Sequence, residues 1–182
     1  MGVGAKVGGI NALKKGIELV LQAKRGDREA LSTLLIDRQS KMYKTALLYV
    51  HNQEDALDIV QETSLQAFLS IKHLRHPQYF DTWLVRILIN VSRRFYNRDR
   101  PISEVVELTT DCHRQVDLHQ DLMQDLAMVP EKYRLVLILF YFNELQESEI
   151  AKVLRVPTGT VKSRLNRGRE WLREKGDVIR EY

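Results

Sequence analysis

The chain has 182 residues, 44% hydrophobic and 29% charged, with a formal net charge of +4, enough apolar material for two small cores or one medium one. A single cysteine, Cys112, excludes an intramolecular disulfide framework and suits a reducing cytoplasm. No apolar run approaches the roughly 20 residues of a membrane span, and the start lacks the hydrophobic core of a signal peptide.

The charge is unevenly placed. Residues 1–100 carry 16 Lys/Arg against 10 Asp/Glu; residues 101–121 carry Arg114 against five acids; residues 122–182 carry 11 against 9. A basic, acidic, basic order suits a polyanion bound at both ends and not in the middle.

The glycine-rich start is expected to be flexible, with an N-terminal extension over residues 1–16. Asn11 to Lys24 places Leu13, Ile17, Val20 and Leu21 on one helical face. Gly26 interrupts, and Asp27 is suited to cap a second helix carrying Leu31, Leu34, Leu35, Met42, Ala46 and Val50. His51-Asn52 breaks that pattern. Asn52 and Asp55 form the beginning of a capping box for a third helix to about Lys72, with Ala56, Ile59, Val60, Thr63, Ala67 and Ile71 inward. Its other face carries Glu54, Asp55, Asp58, Gln61 and Glu62. The helix dipole accounts for acids in the first turn, but Asp58, Gln61 and Glu62 lie beyond it.

The stretch HLRHPQY, residues 73–79, reads as a loop around Pro77. Lys72, His73, Arg75, His76, Gln78 and Tyr79 interleave basic, polar and aromatic side chains there, a composition suited to an unstacked base; a plain solvated connector is the rival reading. No Cys or carboxylate stands at ligand spacing from His73 and His76, so no metal is expected. The next helix runs from Phe80 to about Arg98, with Phe80, Trp83, Leu84, Ile87, Leu88 and Val91 inward. Arg86, Asn90, Arg93 and Arg94 form a stripe at i, i+4, i+7 and i+8.

Residues 99–117 show no sustained period and an acidic balance, and read as a flexible linker; Cys112, His113 and the nearby His119 lack a fourth metal ligand. Leu118, Leu122 and Leu126 then resume a helical period, and Pro130 suits the first position of a further helix. Leu135 to Phe142 is a run of eight apolar residues, expected to be buried on nearly all sides. The stretch ESEIAKVLRVPTGTVKSRLNRGREWLR, from Glu147 to Arg173, reads as two helices and a tight turn. Ile150, Ala151 and Leu154 mark the first helix, and Pro157 ends it. Thr158 is placed to cap the second, in which Val161, Leu165 and Leu172 share one face. Lys162, Ser163, Asn166 and Arg167 project from the others, the form of a helix-turn-helix whose second helix enters a major groove. A basic helix by itself is better explained as a solvated face; the turn PTGTV followed at once by KSRL favours the groove here.

This last stretch resembles the minus-thirty-five-reading helix-turn-helix of bacterial sigma factors, especially the extracytoplasmic-function (ECF) group. Gln146 and Arg155 depart from it, where the family often has a Ser or Thr cap and a helix-ending Gly. EDALDIVQET, residues 54–63, is similar to the segment that grips the clamp helices of RNA polymerase. The loop at 73–79 with the helix after it looks like the segment that reads and melts the minus-ten element. The resemblance implies an all-α fold of two modules, region 2 at 17–98 and region 4 at 118–182. The intervening linker would thread through the polymerase toward the RNA path. It implies minus-thirty-five contacts by Thr160, Lys162, Ser163, Arg164, Asn166 and Arg167. Minus-ten contacts would come from the loop residues, from Arg86, Asn90, Arg93 and Arg94, and from Trp83. Asp55, Asp58, Gln61 and Glu62 would meet core RNA polymerase. Promoter DNA and an anti-sigma factor are the further partners implied, in the cytoplasm, with no cofactor and no catalysis by the chain itself. A helix-turn-helix regulator acting without polymerase is the alternative, and it would dimerise on palindromic half-sites. An enzyme has no phosphate loop, nucleophile elbow or metal ligand set to support it.

Overall fold

The computed structural model describes residues 4–98 and 125–179, and among these all regular structure is helical. The helices are α1 (Gly4–Lys24), α2 (Arg28–Val50), α3 (Gln53–Ser70), α4 (Phe80–Arg98), α5 (Glu131–Tyr141), α6 (Glu147–Leu154) and α7 (Thr158–Ile179). Two 3₁₀ turns, Ile71–His73 and Pro77–Tyr79, join α3 to α4, and a helical turn at 125–128 precedes α5. The expected linker at 99–117, with Cys112 and His113, and also His119, Leu118 and Leu122, lies outside the described residues.

The first core is built by α1 to α4. Gly26, at φ 106°, turns the chain between α1 and α2 in a conformation costly for any other residue. Asp27 then caps α2 as expected, its carboxylate accepting from Ala30 N–H at 3.0 Å. Leu31, Leu34, Leu35, Met42 and Ala46 of α2 meet Ala56, Ile59, Val60 and Ala67 of α3 and Phe80, Leu84, Leu88 and Val91 of α4. Full burial of each Leu or Ile side chain is worth about 1.5–3 kcal/mol, which sets these helices against one another. Asn52 caps α3, accepting from Asp55 N–H at 3.0 Å. Helix α1 begins at Gly4, ahead of the Asn11 expected from the period, each added residue gaining one backbone bond once the docked turn at Val20 and Ala23 is in place. One expectation fails here: Ile17, expected inward, is 38% exposed.

The second core explains the long apolar run. Leu135 to Leu139 are all buried because α5 has no solvent face along them: Ile150, Leu154, Val161 and Leu165 cover one side, and Leu48, Tyr49 and Ile89 of the first module join the same cluster. The run ends sooner than expected, with Phe140 half-buried and Tyr141 55% exposed. Gly168 lets α7 approach α5; a Cβ there would meet Leu137 Cδ1 at 3.0 Å. Capping differs in detail from the sequence reading. Pro130 and Pro157 stand one position before their helices, their carbonyls accepting the first intrahelical bonds, and Thr158 is the first residue of α7 instead of its cap.

The two modules are therefore packed on one another. Across their boundary Tyr49 Oη donates to Glu131 Oε1 (2.5 Å), Asn143 Nδ2 donates to Thr45 Oγ1 (3.1 Å) and Thr82 Oγ1 donates to Glu149 Oε1 (2.9 Å). Arg134, only 3% exposed, donates through Nη1 to His51 Nε2 (2.6 Å) and to the Ala127 carbonyl (3.1 Å), and through Nη2 to Tyr96 Oη (3.3 Å). Its guanidinium also lies over the rings of Tyr49 and Tyr96.

Candidate nucleic-acid interface

Helix α7 presents its chemistry opposite its packed face. Val161 and Leu165 are buried at 0% and 1% exposure, which turns Lys162, Ser163, Asn166 and Arg167 outward. Thr160 and Arg164 are half-buried beside them. The turn before α7 is set by Arg155, which stands in the left-handed region at φ 56° with its N–H bonded to the Ala151 carbonyl, while Val156 N–H reaches the same oxygen. At the other end of α6, Glu149 Oε2 accepts from Gln146 N–H at 3.0 Å. Both family departures are thus accommodated by backbone and carboxylate groups.

A cleft of about 370 Å³ opens along this face, lined by Lys132, Tyr133, Gly159, Thr160, Ser163, Arg164 and Arg167. Three cations and the first turn of a helix give it a positively charged lining. Lys132 and Tyr133 were not among the residues marked in the sequence. They sit at the start of α5, far from α7 in the chain, and no local period joins the two. Arg167 Nη1 lies 3.5 Å from Tyr133 Oη, and that contact holds the phenol below and the guanidinium above their ordinary pKa values. Lys162 Nζ pairs loosely with Glu147, at 3.8 Å.

The loop residues Lys72, His73, Arg75, His76, Gln78 and Tyr79 are all exposed, while Ile71 before them and Leu74 among them are buried and pin the backbone. His76 and Tyr79 stand edge to face with ring centres 6.1 Å apart. Lys72 lines a different hollow, about 640 Å³, between the α1–α2 turn and the end of α3, with Leu31, Phe68 and Leu69. On α4, Trp83 is half-buried against Phe80, Asn90 is exposed and Arg93 half-buried. Arg86 Nη2 donates to the Lys152 carbonyl at 3.0 Å, and Arg94 lies 3.7 Å from Glu62. The stripe is thus divided among different neighbours: one arginine faces the second module and one faces α3.

On α3, Asp58 and Gln61 are exposed and Asp55 and Glu62 half-buried. Leu57, Leu65 and Leu69 are exposed at 51%, 53% and 67%, forming with these polar groups a mixed apolar and acidic face. These leucines were legible as outliers, since none falls on the Ala56, Ile59, Val60, Thr63 and Ala67 face. Among the described residues no group of three or more His, Cys, Asp or Glu is placed to hold a metal ion.

Known proteins match both halves. The family described as Sigma-70 region 2 matches residues 35–101, and Sigma-70 region 4 matches residues 119–172. SigW, an ECF RNA polymerase sigma factor of Bacillus subtilis (strain 168), is 31% identical over 181 residues, 89% of this chain and 95% of the relative. SigV of the same organism is 32% identical over 161 residues, 84% of this chain and 95% of the relative. CnrH, solved in complex with the cytosolic domain of CnrY, superimposes with a TM-score of 0.73 at 23% identity over 90% of this chain and 98% of its own, a likeness of fold. Two helical modules in this order, the second with an outward basic recognition helix, define a sigma-70-type protein. Within that class the chain belongs to the ECF RNA polymerase sigma factors.

Proposed function

We propose that the chain binds core RNA polymerase and directs promoter recognition, strand opening and transcription initiation through the residues described above. The observation that carries this reading is the shared outward face of Lys162, Ser163, Asn166 and Arg167, inside the stretch that matches region 4 and behind a separate stretch that matches region 2. Module boundaries at 17–98 and 118–182 belong to the same proposal. In it, Thr160 and Arg164 take phosphates while the four outward side chains take base edges. The loop at 72–79 stacks one unpaired base of the minus-ten strand, with Trp83 beside it, and Arg86, Asn90, Arg93 and Arg94 hold the adjoining phosphates. Asp55, Asp58, Gln61 and Glu62, with the leucines between them, meet the clamp helices of the largest polymerase subunit. The chain works in the cytoplasm, where the polymerase is, and supplies no catalytic group; phosphoryl transfer belongs to the polymerase.

The Bartonella quintana RpoE structure, similar in fold, is a complex with the anti-sigma factor NepR. An inhibitor of that class is the further partner assigned to this chain. A repressor or activator working apart from polymerase does not account for a match through both modules over 95% of SigW. The test is run-off transcription by core polymerase on a promoter library, with and without the chain. Selective transcripts that require the chain are expected. Duplex binding as a dimer on palindromic sites, with no effect on polymerase, would overturn the assignment.

A further inference from the structure

The first turn of α5 and the outward face of α7 meet through one pair of side chains. Tyr133 is half-buried, its ring packed against the second core, whereas Arg167 is exposed. Arg167 Nη1 donates to Tyr133 Oη at 3.5 Å, and the Lys132 ammonium lies 4.9 Å from the centre of the same ring. The hydrogen bond is long, so it steers the guanidinium and does not lock it. Both partners feel it: Arg167 is the largest cause lowering the phenol's pKa, and Tyr133 the largest raising the guanidinium's. Lys132, Arg164 and Arg167 line one cleft, and like charges push an unheld guanidinium outward. The phenol oxygen is the neutral acceptor that counters this push. Backbone geometry sets the reach. Beside Arg167, Gly168 brings α7 so close to α5 that an added Cβ would meet Leu137 Cδ1 at 3.0 Å.

We propose that Tyr133 is a positioning residue for promoter discrimination: from the first turn of α5 it presents the Arg167 guanidinium to one base edge of the upstream element. The inference rests on the assignment of Arg167 to a base edge. Arginine reads a base as a planar fork of donors, and a fork aimed in advance loses less side-chain freedom on binding. Of the two partners Tyr133 is the fixed post, because core packing holds its ring while an exposed arginine samples many rotamers. The contact occupies only one of the guanidinium's donors, and the rest of the fork is left for the base. Tyr133 acts through Arg167 and touches no base itself. A determinant of specificity thus lies outside the helix-turn-helix, on a helix that otherwise fills the second core.

The test is transcription by core polymerase carrying the full chain, on a promoter library randomised through the upstream element. Wild type, Tyr133→Phe, Arg167→Ala and the double variant are compared. Phenylalanine keeps the ring packing and removes only the hydroxyl. Tyr133→Phe is expected to weaken base preference about two- to tenfold, the range for one hydrogen bond, at the single position that Arg167→Ala relaxes. Preference at the other positions should be unchanged. In the Arg167→Ala background Tyr133→Phe should have no further effect, since residues that act through one contact are not additive. A further loss in the double variant overturns the proposal, because Tyr133 would then act without Arg167. An equal loss at every position also overturns it, leaving the hydroxyl a purely structural role. Sharper preference in Tyr133→Phe would mean that the phenol holds Arg167 back from the base, and overturns it too. If Arg167→Ala relaxes one position and Tyr133→Phe none, this inference fails alone. If Arg167→Ala relaxes no position, the base-edge assignment fails and the inference with it.

Discussion

His51 ends α2 in the left-handed region, at φ 59°, and lends its Nε2 to Arg134 while its Nδ1 is buried without a hydrogen-bond partner among the described residues. Burial first, and the Arg134 charge second, lower its pKa from 6.5 to about 4. In the unfolded chain the imidazole titrates near 6.5, so between there and pH 4 the unfolded state binds a proton that the folded state does not. Stability contributed by neutral His51 is present above pH 6.5 and is lost as pH falls toward 4, at up to about 1.4 kcal/mol per pH unit. Urea unfolding at several pH values should show this slope, and His51→Gln should lose it. Arg167 makes the complementary case on the surface. Its guanidinium is exposed and only loosely held by Tyr133. Arg167→Ala should cost about 1–3 kcal/mol at one base position and leave the others unchanged. Selection from a promoter library would show this as relaxed preference at one upstream position; an equal loss on every promoter would make Arg167 a phosphate contact.

At the scale of elements, two of the three glycines of α7, Gly159 and Gly168, should respond oppositely to the same change. Nothing lies within 4 Å of a Cβ built at Gly159, so Gly159→Ala should stabilise by up to about 1 kcal/mol through helix propensity. At Gly168 the same gain is set against a collision with Leu137, itself 2% exposed in the core and unable to move freely. Overpacking of that kind costs about 1–3 kcal/mol, so Gly168→Ala should lower the thermal midpoint. On α3, reversing Asp58 and Glu62 to Lys should abolish association with core polymerase by gel filtration. Asp58 is exposed and the Glu62–Arg94 pair is a surface one, so folding should shift by only about 0.5 kcal/mol. The sequence disclosed most at this scale. The caps Asp27 and Asn52, the faces of α2 to α4 and the buried side of α7 followed from local period and side-chain chemistry. Thr158 misled because the carbonyl of Pro157 already serves the first turn, which no side-chain inventory reveals.

For the whole molecule, the two modules were legible and their mutual packing was not. A run of apolar residues from Leu135 says that α5 is enclosed but not by what, and Arg134 at its head reads in sequence as one more surface cation. Only the fold shows it caged by Tyr49, Tyr96 and His51. None of its hydrogen-bond partners among the described residues is a carboxylate, so the desolvation of that guanidinium is offset only by neutral acceptors and ring faces. Such a contact favours one geometry without great strength. It need not be strong, because both modules belong to one chain, and faces so joined meet at an effective mutual concentration on the order of millimolar. Dilution will therefore not separate them. A competitor present at micromolar levels must bind either face roughly a thousandfold more tightly than the modules bind each other before half the chains stand open.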